Sequence, residues 1–123
     1  MPASFLFAGL VFAQAAPAIT VEGVPGDDDV GYRELVAQRP ADAVTRIETN
    51  RRLEADDPAA LINLGTAKAR LGDRDAAADH YRAAISSRQR YDLQLADGTW
   101  MDSRAAARLA VKMLVEGRAL ALR

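Results

Sequence analysis

Laid against itself at a shift of 34 residues, the chain matches at the positions where packed helices touch. Val30-Gly31 falls on Leu64-Gly65, Ala43 on Ala77, Ile47 on Tyr81, and the turn pair Arg39-Pro40 on Asp73-Arg74. A fixed period of this kind means one supersecondary unit copied in tandem, and such a unit buries its apolar face only by stacking on a neighbour. Within the second unit apolar groups recur at helical spacing: Leu61, Leu64, the stem of Lys68 and Leu71, then Ala77, Tyr81, Ala84 and Ile85. The spacing predicts helices over 29–38, 41–54, 58–71 and 75–87. Asp57-Pro58 reads as an N-cap with proline at the first helical position. Gly72 supplies the left-handed residue that ends one helix, and Asp73 caps the next.

The stretch "INLGTAKARLGDRDAAADHYRAAI", residues 62–85, carries a family likeness. It resembles the tetratricopeptide repeat, whose pattern is W-x2-L-G-x2-Y, then A-x3-F, then P. Leu61 stands at the Trp position, Leu64-Gly65 at Leu-Gly, and Ala77 with Tyr81 at the alanine and aromatic pair. Gly65 and Ala77 are small, which lets antiparallel helices approach, and Tyr81 fills the space between them. Lys68 departs from the expected aromatic, and Ala55 and Gln89 stand where the closing prolines belong. The likeness is closest over 58–87 and looser over 28–57. There Pro25-Gly26 shortens the first helix and Asn50 replaces the small residue equivalent to Ala84. It is absent afterwards. The resemblance implies a concave groove, lined by the first helix of each repeat, that binds a peptide or partner segment. Carried over by repeat position, its lining is Tyr32, Leu35, Ala59, Ile62, Asn63, Thr66, Ala69 and Arg70. Arg70 there suits a carboxylate and Asn63 an extended backbone. Taken singly, each of these side chains reads first as part of the fold; taken together, they read as a binding groove.

After residue 88 the period changes. "YDLQLADGTWMD" alternates, with Tyr91, Leu93 and Leu95 on one face and Asp92, Gln94 and Ala96 on the other. Asp97-Gly98 signals a two-residue hairpin turn, which pairs Leu95 with Trp100 on the apolar face. A lone hairpin is marginal in water, so it must lie against the helices. Trp100 is then a packing anchor, or alternatively an aromatic contact for a ligand. Asp102 or Ser103 caps a last helix with an apolar stripe of Ala106, Leu109, Met113, Leu114, Gly117 and Leu120. Hairpin and helix together cover the end of the array. A stripe left half covered becomes a dimerisation face.

The first residues, "MPASFLFAGLVFAQAAPA", hold an apolar run at 5–13 and small-residue cleavage patterns at Ala13-Gln14-Ala15 and Ala16-Pro17-Ala18. This is the layout of a signal peptide, too short for a spanning helix of about 20 apolar residues. It lacks a Lys or Arg before the run, so either the true start lies upstream of Met1 or the signal is a weak one. The other reading is a buried N-terminal helix. Processing would begin the mature chain near Ala16 or Ile19, in the periplasm or outside the cell, with no membrane insertion after cleavage.

Formal net charge is −1, with no basic stripe for nucleic acid and no polybasic run for a membrane surface. The absence of cysteine removes disulfides, thiolate metal sites and a Cys nucleophile. His80 is the single histidine and lacks a metal-ligating neighbour at helical spacing. Asp27-Asp28-Asp29 lacks the spaced ligands of a calcium loop and reads as helix N-terminal charge. No catalytic motif appears.

These readings give a mainly α fold: a short tetratricopeptide-like array of helical hairpins with a C-terminal β-hairpin and capping helix. The divisions are 1–18 signal peptide, 19–28 flexible N-terminal segment, 29–88 two helical hairpins, 89–102 β-hairpin and 103–123 C-terminal helix. The expected function is a protein-binding adaptor or scaffold in the bacterial envelope. It is not an enzyme and needs no cofactor, and its partner is a protein or peptide. Two other readings stand beside it: a module that self-associates, as a homodimer, through the C-terminal helix and hairpin, and a small enzyme whose carboxylates only the fold brings together.

Overall fold

α1 (Tyr32–Val36) and α3 (Pro58–Arg70) end in the same turn, 34 residues apart. In the first, the Gln38 N–H donates to Leu35 O at 3.1 Å and Arg39 N–H to Glu34 O at 2.8 Å. In the second, Gly72 N–H donates to Ala69 O at 3.0 Å and Asp73 N–H to Lys68 O at 2.9 Å. This double closure requires a left-handed residue just past the helix. Gly72 meets it at φ +87°, and Gln38 meets it at φ +60°, the one positive-φ residue other than glycine among those described. α2 (Pro40–Thr49) and α4 (Arg74–Ser86) follow at equivalent places. The Asp73 side chain caps α4 by accepting from Ala76 N–H at 3.1 Å. Arg39 offers no such cap, and α2 starts instead on Pro40, whose missing N–H needs none.

The computed structural model describes residues 18–23 and 29–121, with side chains through residue 117. Its order is β1 (Val21–Glu22), α1 to α4, β2 (Asp92–Leu95), β3 (Trp100–Asp102) and α5 (Ser103–Ala121). The result is mainly helical with one small antiparallel sheet in the order β1-β2-β3. The expected signal peptide at 1–18 lies, but for its last residue, outside the described residues.

Within each hairpin a glycine meets a large side chain. A Cβ on Gly65 would stand 2.5 Å from Tyr81 Cε1 and 3.1 Å from Ala77 O. On Gly31 it would stand 3.1 Å from Ile47 Cδ1 and 3.3 Å from Ala43 Cβ. The same three-way contact of glycine, alanine and a filler thus recurs in both units, with Ile47 doing for the first what Tyr81 does for the second.

α3 is the centre. It packs against α1, α2, α4, α5 and β1, and every residue from 58 to 67 is buried. A helix enclosed all round has no solvent stripe, so its polar residues must find partners inside. Asp57 starts it, with Oδ2 accepting from Ala60 N–H at 2.9 Å, while Oδ1 accepts from the Tyr91 hydroxyl at 2.6 Å. One carboxylate therefore ties the start of α3 to the residue leading into β2.

The first two helices are shorter than their periodicity predicts. α1 begins at Tyr32 rather than residue 29, because the Asp29 carboxylate accepts from Gly31 N–H at 3.0 Å and Gly31 sits at φ +72°. α2 ends at Thr49 rather than residue 54. Asn50 turns extended, its side chain accepting from Arg52 N–H at 3.1 Å and donating to Asp29 O at 3.2 Å.

The hairpin register also differs from the expected one. Its loop is Ala96-Asp97-Gly98, closed by Leu95 N–H to Thr99 O at 2.8 Å and Gly98 N–H to Leu95 O at 2.9 Å. Gly98 takes the left-handed place at φ +88° that a three-residue loop needs. Trp100 therefore pairs with Gln94, and not with Leu95. A one-residue slip moves a side chain to the opposite face. Trp100 is 62% exposed and anchors no core; Leu93 and Met101 point inward instead.

α5 opens with Asp102 accepting from Ala105 N–H at 3.1 Å, and Arg90 braces that carboxylate at 2.8 Å. Its buried seam is Ala106, Ala107 and Ala110, with Leu109, Met113 and Leu114 half-buried at the margin. Small side chains let α5 lie close on α4 and α3. Ala106 belongs to the stripe expected from sequence, and Leu109, Met113 and Leu114 pack against the core as expected, while Ala107 and Ala110 are the buried members that the stripe leaves out.

Candidate binding groove

On α3 the residues Ala59, Asn63, Thr66 and Arg70 follow one another at helical spacings of four, three and four, a single stripe along the helix with Ile62 beside it. The structure fills the space over that stripe with the chain's own residues 18–23. The stretch expected to be a flexible segment at 19–28 is instead placed wherever it is described: Ile19, Thr20 and Val21 are buried, and Val21-Glu22 form β1. Residues 24–28 lie outside the described part.

Three polar side chains hold the segment, chiefly by its main chain. Asn63 Oδ1 accepts from Val21 N–H at 2.9 Å, and Asn63 Nδ2 donates to Val21 O at 2.8 Å and to Val30 O at 2.8 Å. The Thr66 hydroxyl bonds Ile19 O and lies 2.8 Å from the Tyr81 hydroxyl. A carbonyl only accepts, so the Thr66 proton goes to Ile19 and Tyr81 donates to Thr66. Arg70 donates to Leu35 O at 2.7 Å, closing the end of α1, and reaches Thr20 Oγ1 at 3.4 Å.

Strand alternation explains why Asn63 is needed. Thr20 O accepts from Ala96 N–H at 3.1 Å, so Val21, one residue on, turns its polar atoms away from β2. They would be buried without partners. The carboxamide offers one acceptor and two donors on the same small group, and takes the place of a neighbouring strand.

The other sequence-derived lining residues are packed. Ile62 and Leu35 are fully buried, Ile62 in the main core and Leu35 against Ala43 and Ala67. Tyr32 is half-buried beside that core. Of the six, Asn63, Thr66 and Arg70 bond the segment, Ile62 and Tyr32 lie in or against the core cluster that includes Ile19 and Val21, and Leu35 lies in the smaller cluster with Ala43 and Ala67. What sequence reasoning missed was the occupant. The β-branched run Ile19-Thr20-Val21 carried the available signal, a short strand preference hidden behind the signal-peptide layout.

The slot carries one lasting charge, the Arg70 guanidinium, beside hydroxyl and amide groups. Burial pushes the Tyr81 hydroxyl above its usual range, with the Thr66 hydrogen bond opposing, so it stays protonated. Burial also pulls Arg70 downward, without approaching neutrality at ordinary pH. His80 lies on α4 outside the slot. Among the described residues no cluster of His, Cys, Asp or Glu is placed to hold a metal ion, and no helix is long and apolar enough to cross a membrane. What the slot does chemically is satisfy an extended backbone while enclosing three β-branched side chains, Ile19, Thr20 and Val21. No protein-family model, curated protein or solved structure matches the chain.

Proposed function

We propose that this chain is a binding module of tetratricopeptide type, an exported adaptor or scaffold that holds an extended polypeptide segment along α1 and α3. The observation that carries the reading is Asn63: a fully buried amide that donates and accepts at the two polar atoms of one extended residue. A side chain of that kind recognises a strand by its main chain, and flanking apolar pockets give selectivity. The tandem turns and the recurring glycine–filler contacts at a 34-residue offset support the repeat assignment. The apolar run and small-residue pattern within 1–18 support export to the periplasm or beyond. No chemical step and no cofactor is part of the proposal.

The test uses the full chain with Ile19→Asp and Val21→Asp, which removes the apolar contacts of its own segment. A fluorescent peptide with the sequence of residues 18–23, AITVEG, is then titrated against it. Saturable binding that disappears when Asn63→Asp is added, with helicity retained throughout, is the expected result. A helical, released variant that leaves the peptide free at millimolar concentration ends the proposal.

A further inference from the structure

We propose that two copies of this chain exchange residues 19–22, each β1 seated between α3 and β2 of the other. This rests on the reading above, that the slot holds an extended segment, and adds the identity of a ligand in trans.

A second copy is the one occupant whose fit is on the page. The slot is selective as well as backbone-directed: Ile19 and Val21 are buried in it, and the Thr20 hydroxyl faces Arg70. Another copy brings the identical segment. The bonds of residues 19–22 run to residues far along the chain, at Asn63, Thr66, Arg70 and Ala96, with Glu22 paired to Gln94 in the ladder. None depends on which chain the segment belongs to. The third Asn63 bond goes to Val30, beyond the covalent link that joins Gly23 to Asp29, so the receiving half stays assembled around a foreign segment.

Simple addition of a further strand beside β1 is closed off. The outward polar atoms of Val21 are already taken by Asn63, which ends the sheet on that side. Association at this place therefore proceeds by replacement of β1 rather than by extension past it. Exchange makes the same contacts as the closed chain, which is why swapping an identical element is a low-cost route to a dimer. Its opponent is the tether: a short link holds the chain's own segment at an effective concentration on the order of millimolar. Exchange accordingly grows with protein concentration, and with unfolding and refolding at high concentration.

The absence of cysteine makes a direct test available. Val21 and Leu95 face each other across β1 and β2, and Glu22 and Gln94 are the next pair along. One preparation carries Val21→Cys, another Leu95→Cys; they are mixed over a range of concentrations, refolded together and oxidised gently. The expected result is a covalent dimer linked 21 to 95, identified by mass spectrometry of the disulfide peptide. It increases with concentration and exceeds the dimer formed by either variant alone. A chain carrying both substitutions, oxidised dilute, should close on itself and shows that the geometry permits the bond. If the core pair disturbs folding, Glu22→Cys with Gln94→Cys repeats the experiment on the outer face. Internal closure of the double variant, with no 21–95 or 22–94 linkage between copies at any concentration, overturns the proposal. If the AITVEG peptide still binds the released variant, only the exchange has failed and the groove reading survives. If neither linkage nor peptide binding occurs, both have.

Discussion

Asn63 stands beside Val21 as a strand would, accepting its N–H at 2.9 Å and donating to its carbonyl at 2.8 Å across 42 residues of sequence. A third bond reaches Val30 O at 2.8 Å, so a single carboxamide joins β1, the turn two residues before α1, and the middle of α3.

Replacing that amide with a carboxylate tests the arrangement. Asn63→Asp keeps an acceptor for Val21 N–H but turns oxygen toward two carbonyls in a dry site. The expected loss is roughly 2–4 kcal/mol at neutral pH, from lost bonds and unpaired buried polar groups. The carboxyl should titrate above its usual range there. Stability that depends on its protonated form is present at low pH and lost as pH rises through that raised value, so part of the deficit should return near pH 4. Urea unfolding at two pH values measures both effects. A loss under about 0.5 kcal/mol would mean the side chain is not holding the segment.

The paired turns make opposite predictions for one substitution type. Gln38 occupies the left-handed conformation that costs an ordinary residue about 1–2 kcal/mol, and Gly72 occupies it freely. Gln38→Gly should therefore raise the thermal midpoint. Gly72→Ala should lower it by a similar amount, although a Cβ there meets nothing within 4 Å and only the backbone is strained. Equal and small effects from both would remove the argument from φ.

Gly65→Ala separates packing from propensity. In an open helix the change gains about 1 kcal/mol. Here the new methyl would sit 2.5 Å from Tyr81 Cε1, so a net loss of about 1–3 kcal/mol is expected as the hairpin is pried apart. In a Tyr81→Leu background the same change should cost markedly less, which a double-mutant cycle reads directly.

His80 sets a pH dependence of its own. Burial lowers its pKa below the ordinary value of 6.5, and Lys68 nearby lowers it further. The unfolded chain then binds the proton more readily than the folded one. Stability from this group is complete above about pH 6.5 and declines as pH falls below it. The melting midpoint should fall between pH 7.5 and 5 in the native chain and fall less in His80→Gln. Parallel curves for the two proteins would show that His80 contributes nothing to the slope.

Local chemistry made the hairpins legible and its absence hid the rest. Gly72 and Asp73 announce a turn and a cap within a few residues of one another, and Gly65 with Tyr81 announces a close helix approach. β1 has no comparable local signature. Its two residues are held by Asn63 and β2, partners that sequence spacing alone does not reveal. The face of Trp100 was hidden for a different reason. Asp97-Gly98 fits both a two-residue and a three-residue loop, and a difference of one residue decides whether the indole faces core or water. Asp97 holds the longer form, accepting from Thr99 N–H at 2.9 Å and from its hydroxyl at 2.6 Å. The candidate groove was legible as a stripe on α3 and α1, while its contents depended on residues 42 and 47 positions away.

The position of β1 also bears on the order of events when the chain is made. Ile19 and Val21 leave the ribosome long before the helix that encloses them, and before β2, their neighbour in the sheet. Contacts between residues so far apart form late, because the intervening chain must first be brought together. The strand synthesised earliest is thus the last to be placed. Until then its β-branched side chains lack the cover that α3 and β2 give them in the folded chain.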